Sequence, residues 1–62
     1  MPIIQIDAGA MSKEKNAELI KAMTNAASSI LNIPAQAFVV LIRENSPDNI
    51  GTGGKQLSEI HK

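Results

Sequence analysis

Few side chains in this sequence can do chemistry, and the one in a telling position is Pro2, directly after Met1. An initiator methionine before a small residue such as proline is normally removed, and removal here leaves a secondary amine at the head of the chain. An α-amino group titrates near pH ~8 unperturbed, and an apolar setting lowers that value by disfavouring the cation. An amine so tuned is a general base near neutrality. The plainer reading is structural: proline is at home in the first position of a strand, where its missing N–H costs no ladder bond. Residue type alone leaves both readings standing.

Other chemistries find less support. The sequence has no cysteine and a single histidine, His61, too little for a metal shell of the usual kind and badly placed to orient a serine nucleophile. Neither a metal nor a cofactor is expected. Gly51, Gly53, Gly54 and Lys55 suggest a phosphate loop until the spacing is tested. Counting back from Gly54 and Lys55 puts Asn49 at the first required glycine and Gln56 at the hydroxyl position, while a dinucleotide fingerprint needs glycine where Gln56 stands. These glycines read instead as the positive-φ residues of a tight turn. Lys15, Lys21, Lys55 and Lys62 read as solvated surface charge.

The elements that must position Pro2 follow from hydrophobic periodicity. Ile4 and Ile6 alternate with Gln5 and Asp7, which predicts a first strand over residues 2–7. Ser12 is a helix N-cap with Glu14 in the first turn. Leu19, Ile20, Met23, Ala26, Ala27, Ile30 and Leu31 then recur at spacings of three and four, predicting an amphipathic helix of about five turns. Asn32 can close the helix in the left-handed conformation, and Pro34 disfavours helical geometry at Ile33. Phe38, Val39, Val40, Leu41 and Ile42 form an unbroken apolar run, read as a second strand buried on both faces and ending in Arg43 and Glu44. Strand, long helix and strand make a crossover unit with the two strands parallel. The segment from Pro47 onward, rich in turn residues, reads as a loop or short hairpin.

Composition bounds what this unit can be. With 62 residues and 44% hydrophobic content, a lone domain buries only about 60% of the surface its unfolded chain exposes. Without disulfides or metal, self-association is the remaining staple. Two strands with so apolar an edge also call for a second copy. The expected fold class is therefore α/β: one domain over residues 1–62, a single β-α-β protomer completed by oligomerisation. Six basic and six acidic residues cancel and Phe38 is the only aromatic, so no cationic footprint or stacking platform for nucleic acid is present. No apolar run approaches the roughly 20 residues of a membrane span, and no secretory pattern opens the chain. The expectation is a soluble, cytoplasmic protein.

Taken together, the opening PIIQI after Met1, the helix begun by Ser12 with ELI at 18–20, Pro34, Glu44 two residues after Ile42, and IGTGG at 50–54 resemble the 4-oxalocrotonate tautomerase family over essentially the whole length. The resemblance implies dimers with a four-stranded sheet, assembled three at a time into a homohexamer, acting on a small carbonyl compound with Pro2 as catalytic base. It also implies substrate-binding positions at Met11, Val39 and Ile50. Typical members carry arginine at the first two of these and an aromatic residue at the third, so the usual anion clamp is missing. Arg43, the only arginine, lies on the same strand face as Val39. It is expected either to take over substrate binding or to pair with a carboxylate such as Glu44 or Asp48 of a neighbouring subunit. Lys13, at the helix head, is a weaker substitute, lacking the bidentate fork. Three functions follow: a tautomerase using Pro2 as base, a catalytically weak structural subunit, or an enzyme whose Pro2 forms an iminium ion with an aldehyde.

Overall fold

The alternation around Ile4 and Ile6 folds as strand β1, Ile3–Ala8, in a computed structural model that describes residues 1–60. His61 and Lys62, with the expectations attached to them, lie outside the described residues. Helix α1 spans Lys13–Leu31. The Ser12 hydroxyl accepts the Lys15 N–H at 3.1 Å, satisfying one of the amides a helix start leaves orphaned. At the other end Asn32 sits at φ 60°, ψ 42°, and its N–H donates to the Ser28 carbonyl. The Ser28 hydroxyl in turn donates to the Ile33 carbonyl at 2.6 Å. A short 3₁₀ turn, Ala35–Ala37, follows Pro34 and feeds strand β2, Val39–Glu44.

β1 and β2 pair in parallel, with Ile3 opposite Val39, Ile6 opposite Ile42 and Asp7 opposite Arg43. The Val39 N–H donates to the Pro2 carbonyl at 3.0 Å at one end, and the Asn45 N–H to the Ala8 carbonyl at 2.7 Å at the other. Ile4, Ile6, Val40 and Ile42 are half-buried on the face that α1 covers, since side chains alternate across a strand. The opposite face is open: Ile3 is 55% and Leu41 46% exposed.

Two sequence expectations need correcting. β2 is not buried on both faces within the protomer, because one helix can cover only one side of a two-stranded sheet. Nor does the whole apolar stripe of α1 face the sheet. Ile30 is 82% exposed, while Asn16, Leu19, Thr24, Ala27 and Ser28 take the half-buried positions.

Beyond β2 the chain forms an arm. A 3₁₀ turn, Pro47–Asn49, is capped by the Ser46 hydroxyl, and strands β3 (Gly51–Thr52) and β4 (Lys55–Gln56) pair antiparallel. Gly53 and Gly54 link them at φ +60° and +84°, the two positive values that a type I′ turn requires. A final turn of helix, α2 (Leu57–Ile60), completes the arm. Gln56 donates its side-chain amide to the Asp48 carbonyl at 2.9 Å, and the Leu57 N–H donates to the Ile50 carbonyl at 2.7 Å. The arm is therefore held chiefly to itself.

No described side chain reaches full burial. The Cα radius of gyration is 14.9 Å, against about 11 Å for a compact chain of this length. The accessible surface is 4836 Å², where a compact monomer of this mass exposes about 3,900 Å². The excess is surface that a partner would have to cover.

Candidate functional site

In a β-α-β unit both strands start at one end, and the helix between them runs back to that end. Here that end holds Pro2, Val39 and the C-terminal turn of α1. Pro2 is half-buried, and its carbonyl is fixed by the first rung of the parallel ladder, from Val39. With Met1 attached, the Pro2 nitrogen is a tertiary amide whose lone pair is delocalised into a carbonyl, so it is neither base nor nucleophile. Met1 itself is 85% exposed.

The other expected site residues stand elsewhere. Arg43 is four residues beyond Val39, about 13 Å along the strand. Its Nε lies 3.1 Å from Oδ1 of Asp7, and Nη2 donates to Oδ2 at 3.5 Å. The partner anticipated for Arg43 was Glu44 or Asp48 of a neighbour; within the protomer it is Asp7. The parallel register places position 7 opposite position 43, so the pairing could have been found by aligning the two strands. Met11 lies past the end of β1, beside a shallow groove of about 320 Å³ along α1, lined also by Lys15, Glu18, Leu19 and Ala22. Ile50 is half-buried where the arm's 3₁₀ turn meets β3. Pro2 and Val39 thus share one end of the protomer, and Met11, Arg43 and Ile50 belong to the other.

Among the described residues no group of three or more histidine, cysteine, aspartate or glutamate side chains could hold a metal ion. No described helix is long and apolar enough to cross a membrane.

The match to a tautomerase enzyme family model runs over residues 2–60. Solved structures agree in fold. TomN, a 4-oxalocrotonate tautomerase homologue in the tomaymycin biosynthetic pathway, is 30% identical, with a TM-score of 0.90 over 97% of this chain and 94% of that one. DmpI from Archaeoglobus fulgidus is 26% identical, with a TM-score of 0.83 over 92% and 98% of the two chains. A heterohexamer 4-oxalocrotonate tautomerase from Chloroflexus aurantiacus J-10-fl is 25% identical, with a TM-score of 0.80 over 97% of each chain. No curated protein matches the chain.

Proposed function

We propose that this chain, which belongs to the tautomerase enzyme family, is an isomerase that interconverts the keto and enol forms of a small carbonyl compound, with Pro2 as its base. The observation that carries the proposal is Pro2 at the head of β1, tied to Val39 in the first rung of the ladder. Once Met1 is gone, the amine takes a proton from the carbon beside the carbonyl. The C–H pair becomes a C=C bond and the carbonyl π pair moves to oxygen. That oxygen then takes the proton from the ammonium, which restores the amine. Orientation and acid–base transfer by one positioned group supply the rate.

The proposal includes assembly as a homo-oligomer, a hexamer built from three dimers, with Met11 and Ile50 of neighbouring copies closing over Pro2 and Val39. Support comes from the separation of these residues within one protomer and from the excess accessible surface. A rival, a structural subunit without its own substrate, draws on Met11 and Val39 standing where typical members carry arginine. Protein whose intact mass starts at Pro2, assayed against protein that retains Met1, separates the two. Tautomerisation of an enol-pyruvate or an enolisable aldehyde by the processed form alone supports the enzyme, and equal rates from both forms reduce Pro2 to a strand-start residue.

A further inference from the structure

Charge is segregated along this molecule. Residues 1–6 and 22–42 contain no aspartate, glutamate, lysine or arginine. These two stretches supply the start of β1, the last turns of α1, the 3₁₀ turn after Pro34 and most of β2. The topology brings them together at the Pro2 end, and neither stretch carries a charged side chain to it. Among the described residues the acidic and basic side chains lie at the ends of β1 and β2, on the first half of α1 and on the arm. The only arginine is at the far end of β2 and already faces Asp7.

We propose that the site takes an uncharged carbonyl substrate, an enolisable aldehyde, ketone or ester, and discriminates against 2-oxo carboxylates. This rests on the proposed role of Pro2 and names the substrate class for it. Two physical effects act in the same direction. A carboxylate brought to the Pro2 end loses water without meeting a cation, and an unpaired buried charge is costly. The C-terminus of α1 also points to this end, and the partial negative charge of its carbonyls opposes an anion. Met11 and Ile50, the residues expected to close the site from a neighbouring copy, are themselves uncharged, and in the groove beside Met11 the charges of Lys15 and Glu18 are of opposite sign. When a proton leaves the substrate carbon, the ammonium of Pro2 is the countercharge for the developing enolate.

The test compares two probes with one carbon skeleton, phenylpyruvate and its methyl ester, on the oligomer whose mass begins at Pro2. The ester should show a kcat/KM higher by roughly tenfold or more, as expected where a carboxylate meets no partner. A preference for the acid, weakening as salt is added, would mean that a neighbouring copy brings a lysine or arginine to Pro2, and it overturns the inference while leaving Pro2 as base. Turnover of neither probe, or turnover of both that survives acylation of Pro2, overturns the proposed tautomerase along with its substrate class.

Discussion

At the scale of the residue, the behaviour of Pro2 depends on which influence on its nitrogen is larger. The negative end of α1 favours the ammonium, but a capped helix terminus contributes at most about 1 kcal/mol, less than one pKa unit. Loss of water around an amine in an apolar setting can shift the value by several units the other way. The apparent pKa should therefore fall below the ~8 of a free α-amino group. Because the base is the neutral form, the rate should rise with pH through that value and then level off, as a rate-pH profile of the processed protein will show. Acylating the amine, or retaining Met1, should lower the rate by roughly a hundredfold or more, the scale of a general base. Pro2→Ala leaves a primary amine and should keep part of the activity. The Asp7–Arg43 pair is a different kind of feature: both side chains are about 60% exposed. A double-mutant cycle with Asp7→Ala and Arg43→Ala, followed by chemical denaturation, should give a coupling of only about 0.2–1 kcal/mol.

At the scale of the element, the ends of the secondary structure carry the strongest local instructions. Ser12→Ala removes the acceptor for the Lys15 N–H and should cost about 1 kcal/mol of stability. Gly54→Val, at φ +84°, forces a β-branched residue into left-handed backbone and should cost about 1–2 kcal/mol in the arm. Both are read from denaturant midpoints at fixed protein concentration. These were also the most legible parts of the sequence. Ser12 and Asn32 bracket the helix where the N-cap and left-handed C-cap rules put it, because capping is decided by hydrogen bonds within a few residues. The hairpin was legible from Gly53 and Gly54 for the same reason, although the helical turn Leu57–Ile60 was not, being too short to show a period. Long-range features were harder to see. The open face carrying Leu41 could not be read from an apolar run, since burial depends on how many layers cover the sheet. The separation of Arg43 from Pro2 emerges only with the strand register, and the charge-free stretches acquire meaning only when the fold brings them to one end.

At the scale of the whole molecule, the protomer leaves one face of its sheet without a covering layer. Its extents are 43 × 24 × 15 Å, a slab with α1 on one face of the sheet and Ile3 and Leu41 left exposed by the described residues on the other. Ile30 projects from α1. Burying one such side chain in a partner contributes about 1.5–3 kcal/mol, and a closed homo-oligomer repeats that contribution in every copy. Folding and assembly should then be one event, so the melting temperature should rise with protein concentration. Light scattering at micromolar concentration should give the mass of a multiple of the chain, with six copies the expected number. Leu41→Lys places an ammonium in the middle of the bare face, between Val39 and Arg43 along β2. Desolvating that charge in a contact between copies costs several kcal/mol per ion, more than the lost leucine burial alone. The variant should therefore lose the oligomer and its helical circular dichroism together. A Leu41→Lys protein that remained folded as a monomer would show that the β-α-β unit is stable without its copies, and that the sheet's open face is ordinary solvent-exposed surface.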